Sequence, residues 1–558
     1  MNRQSGERNT FNLVDEPWII CLRRDGVIEE LSISDVFARA KEIRELLGEQ
    51  PTESYAILRI LLTIFWRSWL TGSSKHSDPR SWWKELWNSN GDGSAIPAIT
   101  DYLDEWKHRF DLLDPEQPFM QVPDLHTEKG EFKSPRQIMS DCESEFLSMS
   151  VGACTENLEL AEAARRLVAT QAWDYSGIKS GAVGDKRVKG GKGYPIGTGW
   201  AGETGGVVLH GSNLYETILL NTPAQWLSRN SGDEDLPAWE RDSQNAAARL
   251  SMMPDGPCDQ LTWQSRRIRL IEDSAHIVAV LVCNGDKIET KNQHADPMTG
   301  YRFSKNQSNK SQKVHMPQRH PLERTMWKGI QPLIIRESVS NGFPPGEEPR
   351  APETVEHLHD MTRKNRIDRS FVVGLEMIGV EYGTQNSSVS AIIHERLDLA
   401  TAILASGEQP WANIVLNAVQ RTMEAAVSLG RFHGMVMQAA GETYTFQPQP
   451  VESVLADLTV PFKDWLGMWH PDIDPEKWQD AWYRRARRLI LTVANEFIAG
   501  IGPRATIGRF IASSDGRETL ITSGTAFGAL NKKLNDLFPL NSHLPSTPQK
   551  PEMEGALL

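Results

Sequence analysis

Several groups of residues in this 558-residue chain have the types and spacing from which chemistry is made. Gly197-Thr-Gly199-Trp-Ala-Gly202 matches GxGxxG, the pattern in which a strand, a tight turn and a helix N-terminus aim amides at a pyrophosphate. No apolar strand leads into it here, and Glu203-Thr-Gly205-Gly206 follows in place of a helix, so a dinucleotide site is not expected. Gly190-Gly191-Lys192-Gly193 lacks the GxxxxGK spacing and the hydroxyl residue after lysine that a P-loop needs. His357, His359 and Asp360 can share a strand face and offer imidazole to zinc. With no second ligand cluster and charged neighbours, solvated histidines are the simpler reading. No Ser-His-Asp or Cys-His set stands out, so the expectation is no catalytic residue, no metal and no cofactor.

Recognition of nucleic acid is the other chemistry on offer. The formal net charge of −13, taken as an average, argues against a polyanionic partner, because Lys and Arg on phosphate supply most non-specific affinity. The charge is unevenly spread. Lys179, Lys186, Arg187, Lys189 and Lys192 meet only Asp185 within residues 179–192, and within residues 302–328 only Glu323 opposes a series of cations. A solvated loop explains such islands as well as a phosphate contact does. The RRIR run at 266–269 and the RRARR run at 484–488 can also meet phosphate; on a helix the second wraps over several faces, which favours surface ion pairing. YGTQNSS, residues 382–388, follows an apolar strand-like stretch and holds Gln385 and Asn386 at its tip. Amides donate and accept at base edges, and the same residues suit a plain turn.

These residues need a frame. The length fits one large domain with a smaller one, or three ordinary domains. Composition is that of a folded globular protein with solvated tails at 1–10 and 543–558. Cys21, Cys142, Cys154, Cys258 and Cys283 are odd in number and contain no CxxC pair, so neither a disulfide framework nor a zinc ribbon is indicated and a cytoplasmic location is expected. Residues 55–70 are the most apolar stretch, but Arg59 and Arg67 interrupt it, which makes it a buried helix and not a membrane span.

Asp25-Gly26 between two β-prone runs predicts a hairpin. Residues 33–115 read as mainly helical, the glycine-rich residues 177–211 as loops and short strands, and HIVAVLVC and SFVVGLEMIGVEY as strands. After about Ser390 long helices are expected. Trp411, Val415, Val419, Met423 and Ala426 fall on one face, while Asp474, Pro475 and the stripe Trp478, Trp482, Ala486, Leu489, Val493 and Phe497 define a helix ending near Gly500. Further helices are expected at 397–405 and 526–537. The fold class is therefore α+β: a large mixed α/β domain over residues 11–390, then a C-terminal four-helix bundle over 391–542.

FNLVDEPWI at 11–19 with its hairpin, PEQPFMQV at 115–122, a glycine-rich loop flanked by LHGSNLYETILLN, a basic middle segment and QNSS leading into IIHERLDLA occur in that order. In these the chain resembles the CasA family, the large subunits of type I-E CRISPR surveillance complexes (Cascade), over nearly its whole length. The resemblance implies a non-catalytic subunit that reads the short motif flanking a target, the PAM, through the minor groove, promotes local unwinding and R-loop formation, and recruits the separate CRISPR helicase-nuclease. Guide pairing would read the rest of the target. The implied partners are other Cascade subunits and guide RNA, target double-stranded DNA and the helicase-nuclease, with no membrane.

Carried over residue by residue, the family's glycine loop falls on Gly177, Lys179, Ser180, Gly181 and Ala182, where small residues let the backbone approach base edges. Its lysine finger falls on Lys287, with Lys291 close by. Its wedge falls on Gln385 and Asn386; Ser387, Ser388 and Val389 separate them from the ERL segment, so either amide can lead. Lone Cys258 and Cys283 do not reproduce the paired cysteines of some relatives. Residues 142–157 match the loop by which the family docks on the subunit holding the 5′ end of the guide RNA. Two other classes stay open: a nucleotide- or metal-dependent hydrolase built on the glycine-rich segment, in which Gly199 or His359 is essential, and a general RNA or protein scaffold.

Overall fold

The Asp25-Gly26 pair turns the chain between β1 (Ile19–Arg23) and β2 (Ile28–Leu31), as the sequence predicts, and β3 (Ile43–Leu46) adds to the other edge of β1. The computed structural model describes residues 9–71, 78–89, 96–140, 155–227, 234–319, 344–404, 410–512 and 518–540. The tails at 1–8 and 541–558 lie outside the described residues. Two units divide the chain, residues 1–407 and 408–558.

In the large unit, α1 (Pro51–Thr71) carries the long apolar stretch. Both of its arginines are inside. Arg59 pairs with Asp296 at 2.7 Å and Arg67 with Glu240 at 2.5 Å. A buried cation without its partner costs several kcal/mol, so each pair pins a distant loop onto this helix. Among the described residues no helix is long and apolar enough to cross a membrane.

Beyond two shorter helices (Pro79–Ser89 and Ile96–Trp106), α2 (Leu160–Trp173) leads into the glycine-rich segment. One sheet runs in the order β4 (Leu158–Glu159), β9 (His276–Asn284), β5 (Lys179–Ser180), β6 (Lys192–Gly193), with β8 (Arg266–Asp273) antiparallel on β9. A short helix, α3 (Trp200–Thr204), precedes β7 (Gly206–His210). Two small strands, β10 (Tyr301–Phe303) and β11 (His315–Pro317), pair with each other. The helix α4 (Glu353–Arg363) comes before β12 (Val372–Tyr382) and β13 (Val389–Ala400), a long antiparallel hairpin whose β12 also pairs with β7.

This hairpin corrects the predicted boundary. Where long helices are expected after residue 390, β13 continues to Ala400, and the large unit ends at 407. Of the helix expected at 397–405, only Thr401–Leu404 forms within the described residues. The buried residues Val389, Ile393 and Leu397 recur every fourth position, a spacing that one face of a strand and one face of a helix both satisfy. Pairing with β12 decides for the strand.

The second unit is a bundle of α5 (Trp411–Ala440), α6 (Gln449–Gly467), α7 (Pro475–Gly500) and α8 (Ser523–Leu537), with α5 touching each of the others. Asp474 caps α7 by accepting from the Lys477 amide at 3.0 Å, and Pro475 fills the first helical turn. Trp465 and Trp478 stack at 4.3 Å, and each indole N–H donates to the other residue's carbonyl, at 2.8 and 3.0 Å. The RRARR run is surface polar contact: Arg485 faces Asp464 at 3.4 Å and Arg487 donates to Asn531 at 2.8 Å.

Candidate nucleic-acid interface

The glycine segment is a hairpin of two short strands joined by the loop 181–191. Lys179 pairs with Gly193 and Ser180 with Lys192, while Ser180 also runs parallel to Cys283 of β9. A Cβ at Gly181 would stand 2.6 Å from the backbone carbon of Gly191, so only glycine closes this turn. Gly177 and Ser180 are half-buried, whereas Gly181 is buried and Ala182 lies in an apolar cluster with Val122, Leu125, Leu281 and Cys283. Lys179 is turned inward. Its ammonium lies 2.7 Å from Asp174 and 3.8 Å over the Tyr175 ring. The side chains of Lys179 and Ala182 therefore belong to the support of the loop, and the outward residue is Ile178, 58% exposed.

The RRIR arginines prove to be fasteners. Neighbouring residues on a strand point to opposite faces, and each of the two buried ones ties together two separate segments. Arg266 bonds Asp174 at 2.5 Å and the carbonyls of Tyr175 and Gly197 at 2.8 and 2.9 Å. Arg267 bonds Asp286 at 2.8 Å and the carbonyls of Asn245 and Ala247. Neither is available to phosphate. Sequence reasoning missed this role, and the only signal was the placement of both on a strand beside the apolar HIVAVLVC.

Asp286 in turn sets Lys287, which is exposed and forms no ion pair among the described residues. Lys287 lines a cavity of about 290 Å³ together with Trp200, Trp263, Asp286 and Asn386. Lys291 is exposed too, but outside that lining.

Asn386 arrives from the β12–β13 hairpin. Gln385 and Asn386 both adopt left-handed backbone, φ 57° and 54°, a conformation Asn tolerates better than Gln. The Asn386 carbonyl accepts from the Ser176 amide at 2.7 Å, which ties the tip to the residue preceding Gly177. Below it, the Tyr382 hydroxyl donates to the Trp173 carbonyl at 2.6 Å. Gln385 stays exposed and Asn386 is half-buried. Lys287 and Asn386 thus border one cavity, and Asn386 is bonded to the start of the glycine segment.

The remaining sequence candidates are dispersed. The GxGxxG glycines pack: a Cβ at Gly199 would stand 2.3 Å from the Ala172 carbonyl. A five-residue helix, α3, starts inside the motif at Trp200 and ends at Thr204, before the strand at Gly206, and no long strand leads in. His357 and His359 lie on a helix, not a strand, and His357 is sealed in rather than solvated. Burial holds its imidazole down to about 3, although Asp360 opposes this. Asp360 pairs with Lys364 at 2.7 Å. Among the described residues no group of three or more His, Cys, Asp or Glu is placed to hold a metal ion. Cys258 and Cys283 are buried separately, and burial pushes the Cys283 thiol up to about 12. Residues 142–154 of the expected docking loop, and 320–328 of the second basic island, lie outside the described residues.

The described architecture is a mixed α/β unit in which a lysine and an amide-tipped hairpin border one cavity, and a four-helix bundle later in the chain. The chain belongs to the CRISPR-associated protein Cse1 family, whose model matches residues 12–493. The crystal structure of Thermobifida fusca Cse1 is 33% identical and superposes with a TM-score of 0.83, covering 95% of this chain and 98% of that one. A curated CasA/Cse1 protein of Thermus thermophilus is 27% identical over 343 residues, 60% of this chain, so the chain spans 62% of that relative's length. A chain of a CRISPR RNA-guided surveillance complex, 19% identical, shares the fold at a TM-score of 0.68, over 94% of this chain and all of that one.

Proposed function

We propose that this chain is the non-catalytic, PAM-reading subunit of a type I-E CRISPR surveillance complex, held in the cytoplasm with the other Cascade subunits and guide RNA. It reads the PAM from the minor groove of target duplex DNA, promotes opening of the adjacent base pairs, and recruits the helicase-nuclease to the R-loop. The observation that carries this reading is the meeting of distant segments: the Ser176 amide bonds Asn386, and Asn386 shares a cavity with Lys287. Family membership supports it, as does the fold shared with a surveillance-complex chain.

The chemistry is specific. The Lys287 ammonium suits the N3 and O2 acceptors on the minor-groove floor. At Gly177 the space a Cβ would take is filled by the Tyr175 ring, 2.8 Å away, so glycine here lets that ring pack beneath Lys179 at the start of the segment. Gln385, exposed at the hairpin tip, is the leading amide, while Asn386 anchors the loop through its carbonyl. Wedging it beside the PAM unstacks a base step at about a few kcal/mol, offset by the contacts the opened duplex makes.

Duplex binding by the complex reconstituted with this chain tests the assignment, using a library with a randomised flanking motif to find the preferred PAM. Lys287→Ala, and separately Gln385→Ala with Asn386→Ala, should cut the affinity ratio of preferred over scrambled motif by about tenfold or more, with little change on the scrambled target. Equal losses on both targets would leave only phosphate contact and sink the base-reading assignment.

A further inference from the structure

Residues 245–253 form no helix or strand, yet the segment is fastened at both ends to the interface described above. At one end Ala246 packs on the cluster that holds Ala182 of the glycine hairpin, and Arg267 draws in the carbonyls on either side of it. At the other end the Arg249 amide donates to Asp286 at 2.8 Å and the Glu289 amide donates to the Met252 carbonyl at 2.9 Å. Those two bonds bracket Lys287 in sequence. The Arg249 side chain is fixed as well, 4.5 Å over Trp263 and 2.8 Å from Asp259. On this held loop Leu250, Met252 and Met253 are 103%, 45% and 42% exposed. Single exposed apolar residues are ordinary. Three within four positions, bound to the segment that presents an exposed ammonium, make an apolar tip next to it.

We infer that residues 250–253 are an apolar finger that enters the minor groove beside Lys287, with Leu250 against a base step and the methionines along the sugar edges. This rests on the PAM-reading assignment of Lys287. Minor-groove proteins place Leu, Met or Phe between base steps next to cationic side chains, and the inserted group unstacks the step. Methionine adds an unbranched, polarisable chain that adapts to a curved wall. Duplex DNA is the occupant because the loop runs from the glycine hairpin to the lysine finger: a groove seated on both must also meet the tip.

The test uses the full chain in the reconstituted complex and three targets: a paired duplex with the preferred motif, a paired duplex with a scrambled motif, and a preferred-motif duplex mismatched over the base pairs beside it. Leu250→Ser with Met252→Ser should weaken binding to the paired preferred target by roughly tenfold, and the pre-opened target should restore wild-type binding. Leu250→Met, which keeps the tip apolar, should behave as wild type. Unchanged affinity of the double serine variant for the paired target overturns the finger, and so does an equal loss on paired and pre-opened targets. Loss of the variant chain from the purified complex makes the tip a subunit contact and overturns it too. If the wild-type complex cannot tell preferred from scrambled motif, the PAM assignment itself falls, a result independent of the serine variant.

Discussion

His357 is 1% exposed in α4, edge-on to Trp83 at 5.0 Å, and neither ring nitrogen has a hydrogen-bond partner among the described residues. Burial holds its imidazole at about 3, against an ordinary value of 6.5. Between those values the unfolded chain binds a proton that the folded chain refuses, so stability falls as pH drops below about 6.5. His357→Leu removes that linkage. Melting temperatures measured at pH 7 and pH 5 should separate less in the variant than in the wild type; equal separations would mean that His357 takes up its proton in the folded state. The same residue-level contrast explains the lysines. Sequence places Lys179 in the glycine loop and Lys287 as the finger, both as DNA contacts, but Asp174, a carboxylate 92 positions from its other partner Arg266, claims Lys179, while Lys287 stays exposed. Single-sequence reasoning has no access to such pairing.

At the scale of elements, the hairpin tip is positioned from below. A Cβ at Gly202 of α3 would stand 1.9 Å from the Tyr382 hydroxyl, the group that anchors the end of β12 to the Trp173 carbonyl. Gly202→Ala must displace one or the other, at a cost of roughly 1–3 kcal/mol. The expected result is a lower melting temperature together with weakened preference for the PAM, since the displaced strand end leads directly into the turn that holds Gln385. Adding Tyr382→Phe removes the closest contact and should recover part of the stability, with the ring carbon still at 2.9 Å; the double-variant cycle measures the coupling. An additive result would show that the two positions do not meet. What sequence made legible here follows from local rules. Asp25-Gly26, the cap at Asp474 and the stripe of α7 are short-range signals, and each element forms where they point. The Gly181 and Gly202 contacts, and the continuation of β13 past residue 390, depend on what lies across the fold, and the fourfold spacing of Val389, Ile393 and Leu397 left both periods open.

For the whole molecule, a net charge of −13 must be reconciled with the polyanionic partner proposed above. Structure resolves this by position. Arg187 is paired with Asp185 at 2.9 Å, and Arg266 and Arg267 are internal, so these cations do not count toward phosphate. Lys186, Lys189 and Lys192 remain exposed on the glycine hairpin and form no ion pair among the described residues. A cluster of this kind on an otherwise acidic body concentrates attraction locally, on the hairpin proposed to approach the groove. Each lysine that meets a phosphate releases about 0.9 counterion from B-DNA. Replacing all three with alanine should therefore flatten the slope of log affinity against log salt by up to about 3. The affinity should fall by a similar factor on preferred and scrambled motifs, because phosphate contacts position the duplex and carry no base information. Titrations of the reconstituted complex at several salt concentrations measure both quantities. An unchanged slope would place the hairpin away from the backbone, and a loss confined to the preferred motif would make these lysines part of the reading head.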